Sequence, residues 1–289
     1  MTDKIAVIIL NYFGFSLTIS CVNSVLRELP ATIFIIDNSA DAIEAERLKA
    51  EFADNPSVHL SFPETNTGFA RGVNIGLEKA VKRGHGKFFL LNNDATLTKG
   101  SGPFFIDAMM NHPCTLIAPI IRWDNMSSGF NYYHQYLGLI TSNKTIIVKN
   151  GWLPYFTGCA LIFDRDVLEK IGFLNQAFFM YGEDVELCHR AVAKGIDLYQ
   201  IPRELIRHEG SNSARIASFF YEYHLNRSHF LLSFFIHQSK YRQMLSLFSK
   251  ALTLLARAVI RSIRYKTLAP AAAFFLCPLA LTIRPKRST

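Results

Sequence analysis

Three consecutive polar residues, Asn92, Asn93 and Asp94, end an apolar run at residues 88–91. Four apolar residues in a row predict a strand buried on both faces, and ligands bind at the carboxyl ends of such strands in open α/β sheets. A carboxylate flanked by amides suits a hard divalent cation, because amide, water and phosphate oxygens can complete its coordination. The alternative interpretation is an Asx turn that binds nothing.

A second polar cluster, Glu183, Asp184 and Glu186, follows the aromatic run at residues 178–181. Burial beside aromatic rings raises the pKa of a carboxyl group toward the range useful to a general base. The same residues open a predicted helix, where carboxylates also stabilise the helix dipole without doing chemistry. Further on, His208 follows another predicted strand and is a candidate metal ligand, although a purely structural role is the alternative.

Glycines at positions 68, 72 and 76 recur every four residues and lead into a predicted helix. This spacing lines small residues along one helix face, which permits close packing on a sheet. The alternative is a loop and helix N-terminus that face a phosphate or a base, with Arg71 as a charge clamp. The GxGxxG fingerprint is absent here and at residues 11–16 (NYFGFS), which argues against an NAD-dependent oxidoreductase.

The elements that must position these residues alternate along the chain. Short apolar or β-branched runs predict strands at 5–10, 32–36, 58–62, 88–91, 115–121, 155–163 and 198–201. Helical periodicity occurs at 16–29, 42–52, 100–111, 183–195 and 219–237. A further predicted helix follows the glycine segment and continues to about residue 82. Residues 122–152 predict an excursion of short strands or loop. The alternation indicates an α/β fold with βαβ units, and therefore a mostly parallel sheet.

Composition limits the function classes. With 289 residues, 49% of them hydrophobic, the chain can form one domain with a sizeable core and an appendage. Ten of its 31 basic residues lie in 240–289 beside no acidic residue, so residues 1–239 carry a net charge of −2 and are not expected to bind nucleic acid. Five scattered cysteines without a CxxC pair argue against a disulfide framework or a zinc site. The N-terminus reads as a first strand and not as a signal peptide.

Six segments stand in a familiar order: the strand that ends in Asn11, IDNS at 36–39, NTGFARGVNIG at 66–76, LNNDA at 91–95, YGEDVEL at 181–187 and HEGSNS at 208–213. Together they resemble the inverting family 2 glycosyltransferases of the GT-A fold, in particular bacterial rhamnosyltransferase-like members that build surface polysaccharide. The resemblance covers roughly residues 4–230. It implies a mostly parallel, Rossmann-like sheet flanked by helices, followed by a C-terminal helical appendage that is basic.

The resemblance also implies a nucleotide-sugar site. Asn11 and Asp37, at the ends of the first two strands, would hold the base and ribose. Asn66, Gly68 and Arg71 would border the nucleotide and its phosphates.

A metal and a base are implied in the same way. Asn92, Asn93 and Asp94 occupy the position of the family's DxD motif, with Asp94 as the carboxylate for Mg²⁺ or Mn²⁺. Because Asn92 stands where many relatives have Asp, fewer negative charges face the metal. His208 falls where some relatives supply a further metal ligand. In the GEDVEL segment Asp184 matches the expected catalytic base, and Glu183 beside it is the second candidate.

The implied reaction is a single in-line displacement, in which the base deprotonates an acceptor hydroxyl as it attacks the anomeric carbon. The expected donor is dTDP-rhamnose and the expected acceptor a lipid-linked or polysaccharide glycan, in cell-surface glycan synthesis such as that of lipopolysaccharide O-antigen. The alternatives are a transferase that uses a UDP-sugar and a non-catalytic nucleotide-sugar-binding or scaffold subunit at the membrane.

The tail is expected to form a separate unit, with boundaries at 1–235 and 236–289. Apolar residues at 244–263 recur with a period of about 3.6, and cations at 250, 257, 261 and 264 fall mostly off that stripe. The pattern predicts a basic amphipathic helix on an anionic membrane surface, peripheral at the cytoplasmic face of the bacterial inner membrane. The apolar run at 268–283 is broken by prolines and short for a span. The alternative is a helix packed on the domain or on a second subunit of a homo-oligomer.

Overall fold

The computed structural model describes residues 4–123, 126–143, 150–209 and 217–277. Within these ranges nine strands form one sheet: β1 (Ile5–Asn11), β2 (Ala31–Asp37), β3 (Val58–Ser61), β4 (Lys87–Asn92), β5 (Ala95–Leu97), β6 (Thr115–Trp123), β7 (Met126–Ser128), β11 (Ala160–Asp164) and β12 (Asp197–His208). A small antiparallel sheet comprises β8 (Phe130–His134), β9 (Ile140–Asn143) and β10 (Trp152–Tyr155). The predicted excursion at 122–152 supplies β7, β8 and β9.

The helices flank the large sheet and extend beyond it. They are α1 (Phe15–Glu28), α2 (Ala42–Phe52), α3 (Phe69–Lys82), α4 (Gly102–Asn111), α5 (Arg165–Ile171), α6 (Glu183–Ala193), α7 (Phe219–Ile236), α8 (Lys240–Tyr265) and α9 (Ala269–Leu276). The sheet order is β3-β2-β1-β4-β11-β6-β12-β5, with β7 paired to β6. Among the described strands β1, β2, β3, β4, β6 and β12 point the same way, which confirms the predicted mostly parallel α/β fold.

Alternation along the central strands produces two cores. In β1, Ile8 packs with α3 and α6 on one face, whereas Val7 and Ile9 pack with α1 and α4 on the other. All three are at most 1% exposed. Successive side chains of a strand point to opposite faces, so a continuous apolar run is what a sheet covered on both sides requires.

The glycines of α3 explain its close approach to the sheet. A Cβ atom on Gly72 would lie 2.4 Å from Leu10 Cδ1, and one on Gly76 would lie 2.6 Å from both Ile8 Cγ2 and Ile36 Cδ1. Both glycines therefore serve helix packing, as the first interpretation of their spacing predicted. They bring the start of α3 against the carboxyl end of β1.

Two strand predictions were wrong in extent. The run at 155–163 is broken into β10 and β11, because residues 156–159 form a turn whose Gly158 amide bonds to Asp184. The strand predicted at 198–201 continues to His208 as β12, with irregularities between Ile201 and Glu204 and between Glu204 and Ile206 that absorb the register shift. His208 thus ends a strand instead of following one.

The C-terminal helices pack on α7, and cations of α8 find partners there. Lys250 is fully buried, with its Nζ atom 3.0 Å from Ser233 Oγ. Arg257 and Arg261 donate to the Glu222 carboxylate, at 2.8 and 2.6 Å. Three of the four cations that lie off the apolar stripe therefore point into the protein, because α7 supplies polar partners that periodicity alone does not reveal.

Candidate active site

One cavity of about 760 Å³ lies at the carboxyl ends of the central strands. Its wall combines the ends of β1, β4 and β12 with the starts of α3, α6 and α7. Eight of the residues predicted from the sequence line it: Asn66, Gly68, Asn92, Asn93, Asp94, Glu183, Asp184 and His208. Residues far apart in the sequence are thereby gathered around one space that can hold a ligand.

Three other predicted residues, Asn11, Asp37 and Arg71, are not part of the cavity lining. Arg71 is exposed on α3. Asn11 is 0% exposed, and its Nδ2 atom donates to Asp37 Oδ1 at 2.9 Å and to Glu44 Oε1 at 3.1 Å. Its Oδ1 atom accepts from Thr18 Oγ1 at 2.8 Å. In this conformation the Asn11 side chain bonds to other groups of the protein and holds the Asp37 side chain in place.

The neighbouring Asn38 was quoted in the IDNS segment but not predicted as a site residue. It lines the cavity, and its Nδ2 atom donates to Asn66 Oδ1 at 2.8 Å. Its Oδ1 atom accepts from the Thr67 amide at 2.9 Å. Asn38 therefore ties the end of β2 to the loop before α3, and its place directly after Asp37 was the available signal.

The loop before α3 also meets the segment that precedes α6. Gly68 has a φ of +79°, and a Cβ atom there would lie 2.5 Å from the Phe179 carbonyl oxygen. The next amide, that of Phe69, donates to this oxygen at 2.6 Å. Only glycine adopts this backbone readily at such a close approach. Gly68 therefore allows the loop before α3 to join the segment before α6 at the cavity wall.

Asp94 and His208 meet through strand pairing. Antiparallel pairing of β5 with β12 sets His208 opposite Ala95, the residue after Asp94. As a result Nε2 of His208 lies 3.0 Å from Oδ1 of Asp94, which is 4% exposed. The parallel pairing of β6 with β12 sets Trp123 opposite His208, and the indole Nε1 donates to His208 Nδ1. Trp123 lines the cavity and was missed in the sequence.

This arrangement fixes the tautomer of a neutral His208. Because Nδ1 accepts a hydrogen bond from Trp123, the ring proton lies on Nε2, the atom that is 3.0 Å from Asp94 Oδ1. To bind a cation through Nε2, the proton would have to move to Nδ1, where it would face the indole proton.

The donor set has the chemistry of a divalent cation site with few charges. Asp94 offers a carboxylate, His208 an imidazole and Asn92 an amide, all at the cavity wall. Among the described residues no group of three or more His, Cys, Asp or Glu side chains is placed to hold a metal. The set therefore fits a cation that takes its remaining ligands from water and a bound diphosphate.

The three carboxylates of the first turn of α6 differ in environment. Glu186 makes a two-point ion pair with Arg190, at 2.9 and 2.8 Å, and so supports the helix. Asp184 lines the cavity and accepts from the Gly158 amide at 3.2 Å and the Val185 amide at 2.8 Å. Glu183 is 7% exposed, and its Oε2 atom has no hydrogen-bond partner among the described residues.

Burial raises the pKa of both Glu183 and Asp184. For Glu183 loss of solvent is the larger cause, and the neighbouring Asp184 charge adds to it. For Asp184 loss of solvent again leads, while the Val185 and Gly158 amides act in the opposite direction because they bond to the charged form. A carboxylate with a raised pKa is a better proton acceptor, which is the property a general base needs.

The remaining predicted segment is HEGSNS at 208–213. His208 and Glu209 are described, and the Glu209 amide donates to the Asp94 carbonyl at 2.9 Å. Residues 210–213 lie outside the described ranges.

Comparison with known proteins adds independent information. A family model described as glycosyl transferase family 2 matches residues 6–172, more than half of the chain. Rv1525 of Mycobacterium tuberculosis is 25% identical over 203 residues, covering 68% of this chain and 71% of that protein. The dTDP-rhamnosyl transferase RfbF of Shigella flexneri is 21% identical over 223 residues, 75% of this chain and 73% of RfbF. The low-salt glycan biosynthesis hexosyltransferase Agl10 of Haloferax volcanii is 23% identical over 249 residues, 81% and 76% of the two chains.

Solved structures of other proteins resemble the fold of this chain. GalNAc-T7 with UDP, GalNAc and Mn²⁺ superposes with a TM-score of 0.60 at 14% identity, covering 78% of this chain. The chain spans about half the length of GalNAc-T7, 47%. The mannosyltransferase PcManGT of Pyrobaculum calidifontis, in complex with GDP-Man and Mn²⁺, gives a TM-score of 0.55 at 14% identity and covers 98% of this chain and 76% of its own. At these identities the likeness concerns the fold alone.

Proposed function

The chain belongs to glycosyl transferase family 2 and has the GT-A fold, and we propose that it transfers its sugar by inversion, with Asp184 as the base. It is a glycosyltransferase that uses a nucleotide-sugar donor. The observation that carries the proposal is the shared cavity: Asp94 stands on its wall at the end of β4, and Asp184 stands on the same wall at the start of α6. An in-line displacement needs one group at the leaving diphosphate and another at the attacking hydroxyl.

Each residue then has a defined task. Asn66 and Gly68 border the nucleotide. Asn38, in the same part of the cavity wall, and Asn11, behind it, keep these residues in position. Asp94 and His208 would hold Mg²⁺ or Mn²⁺, and the cation would act as a Lewis acid on the departing diphosphate. Asp184 accepts the proton of the acceptor hydroxyl. Glu183, buried beside it, has its own pKa raised by burial and by the Asp184 charge.

We propose dTDP-rhamnose as the donor. The support is the similarity to RfbF, whose name states that it is a dTDP-rhamnosyl transferase. A UDP-sugar is the second candidate, because GalNAc-T7, with the same fold, was solved with UDP. The proposed acceptor is a lipid-linked glycan, since aromatic side chains such as Tyr155, Tyr181 and Tyr221 line the cavity beside the carboxylates and suit sugar rings and apolar groups.

The test is nucleotide release from a panel of dTDP-, UDP- and GDP-sugars, with a membrane lipid extract as the acceptor source. Each donor is assayed with Mg²⁺, with Mn²⁺ and with EDTA. Metal-dependent release from dTDP-rhamnose alone would support the family mechanism and the donor. Release from a UDP-sugar would keep the mechanism and overturn the donor. Saturable donor binding without release would favour the non-catalytic alternative.

An Asp94→Asn variant sharpens the test. Removing the carboxylate should lower turnover about 100-fold or more, because a Lewis acid contributes several kcal/mol to the transition state. Asp107→Asn is the matched control, since Asp107 is exposed on α4 and bonds only to Asn111 among the described side chains. Equal activity of the two variants would contradict the proposed role of Asp94.

A further inference from the structure

Helix α8 buries polar and charged side chains and exposes its apolar stripe, which is the reverse of an ordinary surface helix. Its side chains that are at most 3% exposed are Ser246, Lys250, Leu254 and Ala258. Two of the four are polar. Arg257 and Arg261 also reach inward, to Glu222. A surface helix normally buries its apolar stripe and exposes its polar face.

The apolar stripe of α8 faces away from the protein. Met244, Phe248, Leu252, Leu255, Val259 and Ile263 are between 38% and 73% exposed. At 3.6 residues per turn these six positions lie on the side opposite Lys250 and Arg257. Contiguous apolar surface of this extent is uncommon on a soluble monomer and indicates a partner surface.

The charges around this stripe have one sign. Lys240 and Arg242 are exposed at the start of α8, and Arg264 and Lys266 are exposed at its end. The chain has no Asp or Glu from residue 240 to residue 289. An apolar stripe with cations at both ends complements a surface that is apolar inside and anionic outside, which describes the headgroup region of an acidic bilayer.

By length and composition alone, α8 could also cross a membrane: it has 26 residues, about 39 Å at 1.5 Å per residue, and a mean hydropathy of 1.3 over its most apolar window. Its inner face argues for a different placement. Glu222 of α7 holds Arg257 and Arg261, and Ser233 of α7 holds Lys250, at points along α8. A helix held by charged groups along one face lies against the domain and offers only its other face to lipid.

We propose that the outward face of α8, defined by Met244, Phe248, Leu252, Leu255, Val259 and Ile263, lies in the headgroup region of an anionic membrane. The cations at its two ends contact acidic lipid headgroups. Because α7 lines the cavity on one side and packs against α8 on the other, the active site is held at a fixed distance from the lipid surface.

The test is sedimentation of the 289-residue chain with vesicles, without donor or acceptor, so that its outcome is independent of whether the protein transfers sugar. Vesicles of phosphatidylglycerol with phosphatidylethanolamine are compared with pure phosphatidylcholine. We expect binding to the anionic vesicles that weakens as salt is raised. The double variant Met244→Ser with Phe248→Ser should reduce partitioning about tenfold or more, since each side chain loses part of its apolar transfer energy.

The matched control is Met110→Ser with Ile43→Ser. Met110 and Ile43 are 68% and 73% exposed on α4 and α2, comparable to 65% and 66% for Met244 and Phe248. The control should bind vesicles as the unmodified chain does. Absence of binding to anionic vesicles, or an equal loss in both double variants, would overturn the proposal.

A second copy of the chain is the competing occupant of this face. Analytical ultracentrifugation of the same proteins in lipid-free buffer separates the two. If the chain is a dimer that Met244→Ser with Phe248→Ser converts to a monomer while vesicle binding is unchanged, the face is a subunit interface and the lipid proposal fails. A size distribution that does not depend on these two side chains, together with their effect on vesicle binding, supports it.

Discussion

Nε2 of His208 lies 3.0 Å from Oδ1 of Asp94, while Nδ1 of the same ring accepts a hydrogen bond from Trp123. Both contacts follow from β12 pairing with β5 on one side and β6 on the other. The ring proton therefore lies on Nε2, and the ring can bind a cation through that atom only by giving up the bond to Trp123. Trp123 is thus expected to compete with the metal for His208.

Trp123→Phe should increase the affinity for Mn²⁺. Phenylalanine keeps an aromatic ring but removes the N–H group, so the Nδ1 atom of His208 becomes free to carry the proton. A hydrogen bond is worth about 1 kcal/mol net, which corresponds to about fivefold in the dissociation constant. The measurement is titration of free Mn²⁺ by electron paramagnetic resonance, in the presence of the nucleoside diphosphate.

The second tryptophan of the chain provides the control for this experiment. Trp152 is also half-buried and packs edge-on against a histidine, His134, with ring centroids 5.0 Å apart. Trp152→Phe should leave Mn²⁺ affinity unchanged. Unchanged or weaker Mn²⁺ binding in Trp123→Phe would show that the indole does not compete with the metal.

The rate of transfer should fall as the pH is lowered, and this fall should occur at a higher pH than for an ordinary aspartate. Asp184 accepts a proton only when ionised, and burial raises its pKa, so the acidic limb of the pH profile should lie above about pH 4. Glu183→Gln should retain activity and leave this limb in place, because burial and the Asp184 charge raise the pKa of Glu183 to about 8 and keep it neutral over the limb. Asp184→Asn should lower turnover at least about 100-fold across the profile.

The converse result would reassign the base. If Glu183→Gln abolishes transfer while Asp184→Asn keeps it, Glu183 is the proton acceptor. Donor binding, measured by calorimetry, should be intact in both variants, since neither side chain is assigned to the nucleotide.

Glu183→Gln should also stabilise the fold at neutral pH. Because the folded pKa of Glu183 is raised, the folded state holds a proton that the unfolded state has lost, and stability falls as pH rises from the unfolded value of about 4.3 through the folded value. Removing the charge abolishes this loss. The gain in melting temperature over the unmodified chain should therefore be large at pH 8 and small at pH 4.5.

Glu186→Gln is the control from the same helical turn and should act in the opposite direction. Glu186 is buried and paired with Arg190, so the substitution breaks a two-point ion pair and should lower the melting temperature at pH 8. A loss of stability in Glu183→Gln as large as that in Glu186→Gln would contradict an unfavourable burial of the Glu183 charge.

For β1, β2, β3 and β4 the sequence predicted where the strand ends better than it predicted what each side chain does there. Asn92 to Asp94 reach the cavity because an apolar run must be buried and its carboxyl end must meet its neighbours. Asn11 occupies an equivalent position in β1 but bonds inward to Asp37, since Thr18 and Glu44 happen to complete its hydrogen bonds. Local pattern does not contain such partners.

Long-range pairing was the other missing information. Trp123 lies in a segment whose alternation was weak, and only its register with His208 brings it to the cavity. The same limit applied to α8, where the period of 3.6 identified an amphipathic helix but not which face the protein would bury. Glu222, buried on α7, decides that orientation.

Glu222→Gln should therefore loosen α8 from the domain. Glu222 is 1% exposed and accepts from both Arg257 and Arg261, so its neutralisation leaves two inward-pointing cations without a counter-charge. Breaking such a pair costs about 3 kcal/mol, which urea unfolding can measure, and backbone amides of α8 should exchange with deuterium faster than those of β1. Glu46→Gln is the control, because the exposed Glu46 and Lys49 pair contributes little. If α8 stays as protected as before, its apolar contacts through Leu254 suffice to hold it.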